Sequence, residues 1–278
     1  MNYEMENTKI CSKVENCMTS VDTIFNEFSG VLKNNNVQYD DYDRILFKMF
    51  RKLMVRWKGF SLLLNNKQAE NADIFMRTIF ELQICLEFIL LETNPNTISN
   101  RVASYSYNAI LQQLKAVCSG EEYKKKKEEL LSIPIYKKVS DDITKKKAKS
   151  KYNYFWADLY CDNKLNNFSD VFEYINGHYN LNEESSFNNF MRYRYKTLST
   201  ELHSNILQVR SIDSNYYTSN YTKEELFLII DSLILFDTIL GDFFDFLMEK
   251  YSNVIKIEDK DRIKSLRSDL LDIILNRS

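Results

Sequence analysis

The sequence predicts an all-α fold, a multi-helix bundle, from three observations. Apolar residues recur at three- and four-residue spacing along nearly the whole chain, whereas runs of period-two alternation are scarce. Five Gly and two Pro in 278 residues leave few turn formers for a β-sandwich or barrel. Bulky side chains are plentiful, with 18 Tyr and 18 Phe, enough to fill the interior of helices packed on one another.

Taken in chain order, the periodicity predicts helices over 19–34 and 40–64. The next, over 67–93, turns apolar nearly all round in its second half, where Ile79, Leu82, Ile84, Leu86 and Phe88 cover every face, as in a buried central helix. Asn94-Pro95 closes it, and the helix over 97–118 stops at Gly120. A charged helical pair over 121–149 precedes shorter helices over 151–161 and 168–177. Three longer ones follow, over 184–209, 222–251 and 259–276. Thr222 and Glu225 have the spacing of a capping box at the start of the 222–251 helix. No segment repeats at a fixed period, which excludes a solenoid. The expected organisation is one all-α domain over 1–278. Its core is drawn from about 19–118 and 151–251, with a charged insertion over 119–150 and a C-terminal helix over 259–276.

The insertion stands apart by charge. Residues 115–151 hold twelve Lys, no Arg and six acidic residues, a net +6, so the remainder of the chain carries −8. Lysines alone suit sequence-independent contact with phosphate backbones, which makes RNA a possible partner. The bland reading is a solvated helical hairpin projecting from an acidic body, and the mixed-in acids favour it.

Several function classes are excluded. Gly30, Gly59, Gly120, Gly177 and Gly241 never stand close enough to make a phosphate-cradling glycine loop, so no Walker or GxGxxG turn is present. Cys11, Cys17, Cys85, Cys118 and Cys161 form no CxxC pair, and His178 and His203 belong to no HExxH pattern. No metal and no cofactor is expected. The opening MNYEMENTKI is polar and acidic, unlike a signal peptide. The longest apolar stretch, Glu225–Met248, is interrupted by Asp231, Asp237, Asp242 and Asp245, each costly at a bilayer centre. A cytoplasmic protein without a membrane span is the expectation.

Three arrangements place polar groups against the core. On the 67–93 helix, Arg77 and Glu81 are spaced i, i+4 and can pair, either as an idle surface pair or at a pocket in the bundle. On the 184–209 helix, Arg192, Lys196, Ser199 and His203 share one side beside the apolar face of Met191, Leu198, Leu202 and Ile206. A half-desolvated His203 there can act as general acid or base, with Arg194 or Arg192 holding a phosphate. A histidine merely bonded to a neighbouring helix is the structural alternative. On the 222–251 helix, Asp237 falls among Ile230, Leu233, Ile234, Leu240 and Phe244, and calls for a partner, for which Arg77 and His203 are the candidates.

Two stretches carry a resemblance. Phe75–Ile89, FMRTIFELQICLEFI, followed by Arg101-x3-Tyr105, and later Tyr193-Arg194-x4-Ser199-x3-His203-Ser204, resemble an uncharacterised bacterial all-helical family of unknown function often met near phage-defence genes. Trp156 and 167–175 sit where that family has a tryptophan and a short helix. The resemblance spans roughly 40–250 and marks Tyr105 beside the residues above. A looser similarity is to HEPN proteins, helical bundles that commonly dimerise and cleave RNA without a metal through an Arg-x4–6-His motif. Here eight residues separate Arg194 from His203, and ten separate Arg192 from it. The resemblance implies a self-associating defence or stress-response effector that cleaves RNA, or works with a protein partner, with His203 as acid/base and Arg194 or Arg192 as phosphate clamp. The alternative is a non-catalytic sensor or scaffold in which Arg77, Glu81, Asp237 and His203 form a buried polar network.

Overall fold

A computed structural model describes residues 3–35, 37, 39–66, 69–146, 155–179, 223–254 and 257–275. Among these, ten α-helices and no strands are found: α1 (Tyr3–Asn34), α2 (Asp41–Asn65), α3 (Ala69–Leu90), α4 (Pro95–Val117), α5 (Gly120–Leu131), α6 (Pro134–Lys145), α7 (Phe155–Asp158), α8 (Phe168–His178), α9 (Lys223–Lys250) and α10 (Ile257–Leu275). The all-α expectation holds. The expected helix over 184–209 and the capping box at Thr222 lie outside the described residues.

The chain divides into two compact units. Among the described residues, the first comprises α1, α2 from Arg51, α3 up to Gln83, α9 and α10. Val14, Met18, Val21, Phe25, Phe28 and Leu32 of α1 are buried, alternately four and three residues apart. That spacing keeps one narrow stripe of the helix against its neighbours. Phe25 lies 6.2 Å from Phe243 of α9, Phe28 lies 6.2 Å from Phe244, and Trp57 of α2 lies 5.9 Å edge-on to Phe236. α1 starts at Tyr3 instead of residue 19. Its first turns are rich in polar residues, and among the described side chains the buried stripe starts at Val14. At Gly59 of α2, an added Cβ would stand 2.6 Å from the Phe75 ring of α3, so glycine is what lets these helices cross.

The second unit comprises α2 up to Phe50, α3 from Ile84, and α4 to α8. Asp40 opens α2 by accepting the Asp43 N–H at 2.8 Å. Asn94-Pro95 does more than end a helix: Asn94 caps α4, accepting the Asn96 N–H at 2.9 Å, with Pro95 in the first turn. Gly120 begins α5, and the preceding helix already stops at Val117. The lysine-rich pair is α5 and α6. It does not project; Leu130, Tyr136 and Val139 are buried in a cluster with Ala103, Tyr107 and Leu111 of α4. Glu121, Glu122, Glu128 and Glu129 stand exposed on α5 around Lys125. Lys124 and Lys126 are paired with Glu121 and Glu122 at 2.7 and 3.0 Å.

Candidate functional site

An arginine in a protein interior must give its N–H groups to acceptors, because an unpaired buried guanidinium is prohibitively costly. Arg101 of α4 is 1% exposed and meets that demand from three directions. Its Nη1 donates to the Phe88 carbonyl at 2.6 Å, its Nη2 to Glu92 Oε1 at 2.6 Å, and its Nε to the Tyr160 carbonyl at 3.2 Å. The Phe88 carbonyl lies in the last turn of α3, where main-chain oxygens have no partner within the helix and the dipole favours a cation. Arg101 therefore caps α3 from a different helix. Its guanidinium carbon also lies 4.0 Å from the centroid of the Phe88 ring and 5.7 Å from that of Tyr174 on α8.

Aromatic residues close this centre. Trp156 of α7 meets Phe88 edge-on at 5.5 Å and Tyr105 at 5.0 Å, and Phe88 meets Tyr174 at 5.5 Å. The Tyr174 hydroxyl lies 3.5 Å from Glu92, and burial pushes it above the usual phenol range. One turn before Glu92, Glu87 is fully buried on α3 and accepts a hydrogen bond from the Tyr179 hydroxyl. Tyr160, whose carbonyl serves Arg101, donates its own hydroxyl to Asp142 of α6 at 2.8 Å. Burial first, and then that carboxylate, hold its ionisation well above the usual phenol range. Ser104 and Asn108, one turn apart on α4, keep a buried hydroxyl and a buried carbonyl oxygen without a hydrogen-bond partner. The arrangement neutralises buried charge and ties α3, α4, the turn after α7 and α8 together.

The residues expected from sequence fare unequally. Arg77 Nε donates to Glu81 Oε1 at 3.0 Å within α3, with Arg77 15% and Glu81 38% exposed, so the i, i+4 pair forms at the edge of the first unit. Tyr105 is half-buried against Trp156 in the second unit. Asp237 is buried, and among the described residues it meets a cation that the sequence reading did not name. Arg267 of α10 donates Nε to Oδ1 at 3.0 Å and Nη2 to Oδ2 at 2.9 Å. The pairing has a local cause: Gly241 lies one turn beyond Asp237 and leaves the space in which the guanidinium lies. His203, Arg194, Arg192 and Ser199 lie outside the described residues.

Arg101, Glu92 and Tyr174 were not singled out on chemical grounds. The available signal was an arginine on the α4 face shared with Ile98, Val102 and Tyr105, where an unpartnered charge is untenable. Among the described residues no group of three or more His, Cys, Asp and Glu side chains is placed to hold a metal ion. No helix among them is long and apolar enough to cross a membrane.

Residues 43–218 match the model of DUF5677, a family of unknown function, and the chain belongs to that family. The Arg101 centre lies within the matched segment, whereas α1, α9 and α10 lie outside it. No curated protein and no solved structure matches the chain.

Proposed function

We propose that the chain is a non-catalytic helical interaction protein, a scaffold or sensor, in which the buried polar network of the second unit holds its helices in one arrangement. The observation that carries this reading is Arg101, whose guanidinium is bonded to two main-chain carbonyls and one carboxylate and stacked on Phe88. A cation so engaged is committed to structure and has little left to offer a substrate. The same reading takes the protein as cytoplasmic and self-associating.

The competing reading is a defence or stress-response effector that cleaves RNA without a metal. It is favoured by the Tyr193-Arg194-x4-Ser199-x3-His203 stretch, with His203 as acid/base and Arg194 or Arg192 on the phosphate. One experiment separates them: expression of wild type and His203→Ala in bacteria, followed by growth and total RNA integrity, with thermal melts of both purified proteins. Intact RNA in both strains supports the interaction protein. RNA fragmentation that vanishes in a His203→Ala protein of unchanged melting temperature refutes it.

A further inference from the structure

Within the first unit, α2 turns an apolar face to solvent. Val55 is 60% and Leu62 is 62% exposed, and of the other large apolar side chains among the described residues only Val117 is more than half exposed. Single exposed apolar residues are ordinary. These two share one face of the helix, with Gly59 one turn beyond the first and one turn before the second. The half-buried ring of Phe75 from α3 lies over that glycine, 2.6 Å from where a Cβ would stand. Val55, Phe75 and Leu62 therefore make one short apolar patch.

The charges beside the patch are divided between its ends. Along the edge of α2 that faces α1, Arg51, Lys58 and Asn65 recur every two turns. Lys58 is bonded to Asp22 of α1 at 2.5 Å, and Asn65 Nδ2 donates to Glu15 Oε2 of α1 at 2.8 Å. At one end, Arg51 and Lys52 are exposed and form no ion pair among the described residues. At the other, Glu15 is exposed and holds only the amide of Asn65. A face with unmatched cations at one end and an unmatched carboxylate at the other complements its own reversed copy.

We infer that this face is where two copies of the chain associate, α2 packing antiparallel to α2 of the second copy about a two-fold axis beside Lys58 and Gly59. Reversal sets Val55 of each copy opposite Leu62 of the other. It also sets Arg51 opposite the Asn65–Glu15 pair, because a two-fold axis keeps both α1 helices on the same side of the α2 pair. A parallel arrangement would stack Arg51 on Arg51 and Glu15 on Glu15. The Lys58–Asp22 pairs near the axis are already neutral within each chain and do not oppose the approach. Three apolar side chains a side make a small interface, and the expected Kd is about 10 µM or weaker. The inference gives a surface to the self-association taken above and rests on that part of the reading.

The test is sedimentation velocity of the full chain between about 1 and about 200 µM, with thermal melts of each variant. Leu62→Asp should weaken dimerisation at least tenfold and leave the melting temperature of the monomer unchanged, since the side chain is exposed. Arg51→Glu and Glu15→Arg should each weaken it at least tenfold. Combining them restores the opposite pairing and should bring the affinity back to within about threefold of wild type. A wild type monomeric throughout the range overturns the inference, as does a dimer indifferent to Leu62→Asp, or a double reversal that binds no better than either single one. A monomer that pellets with vesicles of equal phosphatidylcholine and phosphatidylserine overturns it too, and gives the face to a lipid surface. A dimer indifferent to Leu62→Asp removes this surface and leaves self-association standing. RNA fragmentation dependent on His203 sinks the interaction protein and leaves the dimer untouched.

Discussion

Replacing Arg101 by Met keeps most of the aliphatic stem and removes the charge and the donors, so packing changes little and hydrogen bonding changes much. The two buried carbonyls, of Phe88 and Tyr160, lose their side-chain donor. Stranding such a group costs about 1–3 kcal/mol each. Glu92 loses its cation too, but at 29% exposed it turns partly to water and costs less. The guanidinium no longer has to be desolvated, which returns part of the loss. The net expectation is a destabilisation of about 3 kcal/mol, the lower end of the range for breaking a buried ion pair. For a unit of this size that is a fall in Tm of roughly 10 °C. The assay is urea unfolding followed by tryptophan emission and far-ultraviolet circular dichroism. Trp156 lies against Phe88 in the second unit, so its signal reports the perturbed region. Arg101→Lys sharpens the test. It keeps the charge but not the planar fork that serves three acceptors, and should lose nearly as much as Arg101→Met. A loss below about 1 kcal/mol for Arg101→Met, or wild-type stability for Arg101→Lys, would refute the argument that this fork holds the second unit together.

Three further outcomes are expected. Burial, with Asp269 and Asp237 nearby, pushes the Cys17 thiol from 9.0 up to about 12. The folded state therefore keeps a proton that the unfolded chain gives up. The stabilisation is full below pH 9 and declines by about 1.4 kcal/mol per pH unit from there towards pH 12. Cys17→Ala should flatten the fall in Tm measured between pH 8 and pH 10, and an unchanged slope would count against it. Gly59→Ala places a methyl group 2.6 Å from the Phe75 ring. Thermal melts should show a loss of about 1–3 kcal/mol from overpacking, outweighing the gain of up to about 1 kcal/mol in helix propensity; a stabilised variant would show that the crossing has slack. Glu81→Gln removes only a partly exposed partner of Arg77, and urea unfolding should register a change within about 0.5 kcal/mol.

The helices were legible because each is a local statement. Periodicity along one segment needs no knowledge of its neighbours, and each of the ten described helices overlaps a segment so identified, α1 only from residue 19. The centre around Arg101 was not legible in the same way. Its acceptors come from the last turn of α3, from the residue two beyond that helix, and from a turn some 60 positions later, and no spacing rule connects them. Arg267 as a partner for Asp237 escaped the sequence for the same reason. Its carboxylate was correctly marked as needing a cation, since that follows from its apolar neighbours on one helix. Choosing the cation required the register of α10 against α9. Yet part of that register was written in the chain. Gly241 is the one glycine of α9, placed one turn after a buried aspartate, in a helix where alanine would be the better helix former. A glycine with a cost and no turn to serve marks a close approach, and an aspartate beside it specifies that what approaches is a cation. Read together, the two residues predict an inter-helix arginine; read singly, Asp237 asks for a cation without saying which, and Gly241 says only that no phosphate loop is present.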